Sequence, residues 1–308
     1  MAILEPPPRP LPGLKECLAG VDRHNLVNAL VAWLFAISGP VVIILAVGRQ
    51  GGLRPEDLSS WVFAAFGFGG LMTMAYSYLF RQPIAIMWTI PGAVLVGGAL
   101  PHLTFAEVIG AYLVCGVLLA FLGVTGLVRK IMAAIPMPIV MAMVAGVFIP
   151  FGLNIIKAFG EATVMAIVMV AAFAIPTALP SLGRVLPPVL CALAAGTAAI
   201  IFSGQMTGAE IPPVAFAEPI LYTPVFSLRA LGELVIPLAV TVIAAQNAQG
   251  FVILRQAGFE PPENSLTATC GVGSLLFGIF GSVPTCVTGP ANAILNTSGT
   301  KQRRYMAG

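Results

Sequence analysis

Apolar runs long enough to cross a bilayer recur from one end of this chain to the other, and they leave a water-soluble fold little surface to present. Apolar stretches and their charged or Gly/Pro breaks predict about ten spans. They lie near residues 26–47, 59–80, 84–100, 106–128, 137–156, 162–179, 186–204, 231–254, 265–281 and 284–297. A bilayer core of ~30 Å asks for roughly 20 apolar residues per helical span. Only 9% of the 308 residues are charged, against 58% hydrophobic, where a soluble domain carries about 25% charge. Most of the surface must therefore face lipid. The 33 glycines and 26 prolines fit this reading, because neighbouring helices re-satisfy interrupted backbone inside a membrane.

The same composition excludes several function classes. A net charge of +3 with no basic run interleaved with aromatics speaks against nucleic acid as a partner. Cys17, Cys115, Cys191, Cys270 and Cys286 form no CxxC pair, so no metal site and no cofactor is expected. There is no Ser/His/Asp arrangement, HExxH or phosphate-binding loop, so the chain is not expected to be an enzyme. Residues 1–24 read as a tail containing Pro6-Pro7-Pro8-Arg9-Pro10, with no cleaved signal. With that tail in the cytoplasm, Arg81, Arg129, Lys130, Arg184, Arg255 and the Lys301–Arg304 cluster share its side, and Arg49, Arg54, Lys157 and Arg229 face out. The excess of Lys and Arg on the tail's side favours this orientation.

An internal repeat adds architecture. Arg49-Gln50-x-Gly52-x-x-Pro55 follows the first span and Arg255-Gln256-x-Gly258-x-x-Pro261 follows the eighth. After each comes a Gly-rich span, then a broken one: Gln82-Pro83 to Pro91-Gly92, and Val283-Pro284 to Gly289-Pro290. The period is roughly 200 residues and holds an odd number of spans, which inverts the second copy, a recurring transporter plan. The expected division is a tail over 1–24, a first repeat over 25–204, an extracytoplasmic linker over 205–229 and a partial second repeat over 230–308.

The broken spans are the expected site. A helix that starts at mid-membrane leaves N–H groups unpaired and carries partial positive charge there, so two such starts facing each other favour an anion. Thr89, Pro91, Gly92, Thr285, Thr288 and Gly289 are the candidate substrate-binding residues at these starts. Gln246 and Asn247 join them, because amides in an apolar span need a partner or a cavity. Ser38, at the equivalent depth of the first span, is a further candidate. The proton-coupling residue is not evident; Glu107 and Glu233, near outer helix ends, are the acidic candidates.

The run Arg81-Gln82-Pro83-Ile84-Ala85-Ile86-Met87-Trp88-Thr89-Ile90-Pro91-Gly92-Ala93 resembles the third segment of the bacterial benzoate/proton symporter family. Met141–Leu153 and Ala245-Gln246-Asn247-Ala248-Gln249-Gly250 resemble it too. That family is related to nucleobase and sulfate permease-like transporters. The resemblance implies an all-α polytopic fold of seven plus seven inverted segments, divided into core and gate, with discontinuous third and tenth segments. It implies uptake of benzoate with protons across the inner membrane, substrate lying between the third and tenth half-helices and against the eighth segment. By that pattern about four C-terminal segments would be missing, and a non-transporting fragment is an alternative. The tenth segment, Val283–Ala293, differs from the family's usual run, which keeps another organic anion or a nucleobase open, and the near absence of titratable residues within the spans keeps passive facilitation open. Expected partners are thus a benzoate-like anion, protons and the lipid bilayer, with a second copy of the chain as a candidate.

Overall fold

The computed structural model describes residues 3–8, 10–13, 15–16, 23–134, 137–179, 188–203, 217–296, 305 and 308. Four helices among these are long and apolar enough to cross a membrane: α1 (Asn25–Gln50), α2 (Pro55–Phe80), α4 (Phe105–Thr125) and α9 (Leu228–Gln256). Between α2 and α4 the chain makes strand β1 (Ile86–Trp88) and helix α3 (Ile90–Ala99). Helices α5 (Leu127–Ala134), α6 (Met137–Glu161), α7 (Thr163–Ala178) and α8 (Pro188–Phe202) follow α4. After α9 come α10 (Glu263–Ile279), strand β2 (Thr285–Val287) and α11 (Gly289–Leu295). Every predicted span thus has a counterpart. The third and tenth are each a short strand followed by a helix.

The chain forms two compact units, one of Met1–Val144 with Ala217–Gly308 and one of Ala145–Phe216. In the second unit α7 and α8 lie side by side, with Gly196 admitting Met169 so closely that a Cβ would lie 2.8 Å from its sulfur. Residues 205–216 of the expected linker lie outside the described residues. The remainder packs on α2 in the first unit: Ile220 N–H donates to Ser60 Oγ at 2.9 Å and the Tyr222 hydroxyl to Asp57 at 2.5 Å. Burial, reinforced by that carboxylate, pushes the Tyr222 phenol above its ordinary pKa.

Small residues set the tightest helix contact of the first unit. Where α4 meets α10, a Cβ on Gly123 would lie 2.3 Å from the Ala268 nitrogen, and one on Gly271 would lie 2.2 Å from that of Ala120. Close backbone approach is how membrane helices gain packing without a hydrophobic drive. The repeated Arg-Gln-x-Gly-x-x-Pro motif has a local cause as well. Gly52 and Gly258 both hold positive φ, 71° and 84°, where L side chains are strained. Each turns the chain after a long helix into the next.

Candidate substrate site

Two three-residue strands sit at the centre of the first unit. They pair antiparallel, with Ile86 opposite Val287, Met87 opposite Cys286 and Trp88 opposite Thr285. The ladder continues by one bond at each end: Thr89 N–H donates to Pro284 O at 3.0 Å and Thr288 N–H to Ala85 O at 3.2 Å. Repeat-related residues thus exchange places across the ladder, and Met87 and Cys286 lie where a local two-fold axis would pass.

Extended backbone in an apolar interior must have its polar groups satisfied, and hydroxyls from the preceding helices supply the partners. In the first half, Ile84 N–H and C=O both bond Ser77 Oγ, at 3.1 and 3.0 Å, and Ile86 N–H and C=O both bond Thr73 Oγ1, at 2.9 and 3.0 Å. In the second, Thr285 N–H donates to Ser274 Oγ at 2.9 Å, and the Thr285 hydroxyl donates to Cys270 O at 3.1 Å. Asn247 Oδ1 accepts from Val287 N–H at 2.8 Å. Asn292 accepts from Ala85 N–H at 3.0 Å and donates to Ala85 O at 3.1 Å. Of these residues sequence reasoning singled out Thr285 and Asn247, both as ligand contacts; here both also serve backbone. It passed over Asn292, whose only signal was a buried amide in an otherwise small apolar segment.

The two helix starts are built differently. Thr89 caps α3: its Oγ1 accepts from Gly92 N–H at 3.2 Å and donates to Thr241 Oγ1 at 3.2 Å. Pro91 sits in the first turn, where its missing N–H costs nothing. Gly92 is required by proximity, since a Cβ there would lie 2.3 Å from the Thr89 methyl. Thr288 stands at the same position of α11, yet its side chain makes no cap bond. Gly289, next to it, presses on Gln249: a Cβ would fall 2.1 Å from that carboxamide carbon. The expectation of two starts facing each other needs adjustment. Thr89 and Thr288 are at opposite ends of the ladder, four strand steps apart, or roughly 14 Å at ~3.4 Å per residue.

Helix α9 bridges that distance. Thr241 meets the α3 start and Gln249 the α11 start, eight residues or ~12 Å along a helix. The stretch Thr241–Asn247 is π-helical, a widened winding frequent at functional sites. Gln246 and Gln249 are fully buried, and neither carboxamide has a hydrogen-bond partner; the Trp88 indole N–H is in the same state. Each such group costs about 1–3 kcal/mol.

An apolar cavity of about 490 Å³ borders the other side of the ladder, reaching Met87, Ala291 of α11, Trp33 of α1 and Phe66 of α2. None of the candidate residues with a described side chain lines it. Ser38 falls within α1, its side chain outside the described ones. Glu107 is held in a capping box at the start of α4, its carboxylate 2.9 Å from Thr104 N–H and 2.7 Å from the Thr104 hydroxyl. Glu233 pairs with His102 at 2.9 Å. Among the described residues no cluster of three His, Cys, Asp or Glu side chains could hold a metal ion.

Interrupted membrane segments, related by an internal two-fold and paired through a short antiparallel ladder, define an inverted-repeat membrane transport fold. The solved transmembrane domain of a cyanobacterial bicarbonate transporter, BicA, has this fold: 93% of the present chain and 81% of that one superpose with a TM-score of 0.56 at 18% identity. The chain belongs to the benzoate membrane transport protein (BenE) family, whose sequence model matches residues 20–308. This is a membrane transport family and not one of enzymes. Two relatives are the inner membrane protein YdcO of Escherichia coli K12, 27% identical over 86% of the chain, and the benzoate membrane transport protein of Acinetobacter baylyi, 26% identical over 92%. The chain spans 66% of the length of the first and 71% of the second.

Proposed function

We propose that the chain provides the substrate-binding core of a secondary transporter that carries benzoate or a similar aromatic carboxylate with protons across a bacterial inner membrane, its N-terminus cytoplasmic. The observation that carries this reading is the pair of buried, unpartnered carboxamides, Gln246 and Gln249, on the stretch of α9 between the two helix starts. The carboxamide N–H groups of Gln246 and Gln249 can donate to a carboxylate without a charged side chain. The apolar surroundings suit a ring. The family supports the substrate class, as does the name of the Acinetobacter relative. The Lys and Arg distribution supports the orientation.

A passive facilitator is the second reading. It is favoured by the absence, among the described residues, of any Asp, Glu or His in the hydrogen bonds of the strand ladder. Radiolabelled benzoate separates the cases. Purified chain is expected to bind it saturably, and Gln246→Ala to weaken binding at least about tenfold, or ~1.4 kcal/mol. No saturable binding removes the substrate class. In proteoliposomes of the longer family protein, accumulation that ignores an imposed proton gradient removes the coupling and leaves facilitation.

A further inference from the structure

The N-terminal tail is bound across two helix ends that the strand ladder depends on. Helix α10 starts with Pro262 at its cap position and no side-chain acceptor of its own. Glu5 supplies it from the tail. Its carboxylate accepts from Ser265 N–H at 2.9 Å and Asn264 N–H at 3.3 Å, lies 2.9 Å from Ser265 Oγ, and pairs with Arg129 at 2.9 Å. The Asn264 carboxamide donates to Ile3 O at 2.9 Å. Further along, Pro10 O accepts from Arg81 at 2.9 Å and Pro12 O from the Tyr78 hydroxyl at 2.8 Å. Arg81 also pairs with Glu16 at 3.1 Å. The tail's prolines have no N–H to satisfy, so it presents acceptors to donors at the end of α2 and the start of α10. Those are the helices that lead into β1 and β2.

Beneath this crossing is a second cavity, of about 780 Å³. Leu4, Glu5, Pro6 and Pro7 form one wall, and Tyr76 and Thr269 stand on another. The lining also includes Gly273, where a Cβ would be 3.1 Å from Thr285 Oγ1. The cavity therefore runs from the tail to Gly273, which packs beside Thr285 of β2.

We propose that residues 3–8 and 10–13 form a strap that controls access to this cavity, with Glu5 as its latch. While Glu5 caps α10 the strap walls the cavity on the tail side; when the strap leaves, that side opens on the face of the membrane where α10 begins. A regulatory role for this opening rests on the ladder being part of the transport site, but the gating geometry does not.

A single cysteine tests it: Thr269→Cys in a background without the native cysteines, reacted in detergent with a bulky polar maleimide. Glu5→Gln, and separately deletion of residues 2–8, should raise the labelling rate about fivefold or more, the factor that one helix cap of ~1 kcal/mol allows. A peptide of residues 1–13 added to the deletion should restore protection. Equal rates in all three proteins overturn the strap. So does an equal rise at Ala99→Cys, a buried position remote from the tail, which would mark general loosening. If the cysteine-free background does not fold, amide hydrogen exchange in the native-cysteine chain gives the same decision. Glu5→Gln should speed exchange at Asn264 and Ser265, and unchanged exchange there overturns the latch. None of these readouts needs substrate, so failure to bind benzoate would leave the strap standing.

Discussion

The first and second interrupted segments share a backbone and differ in what their side chains leave open. At the first, Thr89 caps α3 and is itself bonded to Thr241, and the Trp88 indole N–H beside it is left open. At the second, Thr288 makes no cap bond and Gln249 stands unpaired against Gly289. The halves also solve one backbone problem in opposite ways. Pro284 has no N–H to satisfy, whereas its counterpart Ala85 has one, and Asn292 answers it. Asn292 has Ala93 as its own counterpart, so the amide is present only where the ladder needs it. The repeat supplies a symmetrical frame, and open carboxamide capacity falls on α9, at Gln246 and Gln249, with no counterpart among the groups at the first helix start but the Trp88 indole N–H. A site for an asymmetric ligand needs such a difference.

The largest effect should come from breaking the ladder at its asymmetric end. Asn292→Leu strands both Ala85 N–H and part of the bonding of Ala85 O, and should lower unfolding stability in detergent by about 2–4 kcal/mol. Adding Ala85→Pro, which makes the two halves alike, should recover part of that loss; a double variant no more stable than Asn292→Leu would contradict the assignment. A smaller effect of opposite sign is expected at Gln249. Gln249→Leu removes two unpaired buried groups and should stabilise the chain by about 1 kcal/mol while weakening benzoate binding. A stability loss there would mean that the carboxamide is structurally paired. The smallest contrast lies between the caps. Thr89→Val should cost about 1 kcal/mol and Thr288→Val only a few tenths, measured by the same thermal unfolding; equal costs would erase the difference between the two starts.

Much of the helical framework was legible in the chain because apolar run length and Gly/Pro breaks report directly on crossing a membrane. The predicted 59–80 and 231–254 correspond to Pro55–Phe80 and Leu228–Gln256. The Arg-Gln-x-Gly-x-x-Pro repeat reported a local need, positive φ at Gly52 and Gly258. The strand pair was not legible. Ile86-Met87-Trp88 and Thr285-Cys286-Val287 are three residues each, buried mostly on both faces, so no alternation marks them. Gln246 and Asn247 looked equivalent as adjacent amides, yet neighbours from distant sequence separate them: Asn247 meets Val287 N–H and Gln246 meets no partner.

By itself the sequence determined that this chain lives in a membrane, that two of its spans are broken, and that the breaks are related by an inverted repeat. Those properties follow from solvation and backbone geometry, which act residue by residue. Which polar groups are consumed by the fold and which stay available was decided by tertiary structure alone, because a hydrogen bond is defined by its partner. Here the partners of the ladder lie some 200 residues apart.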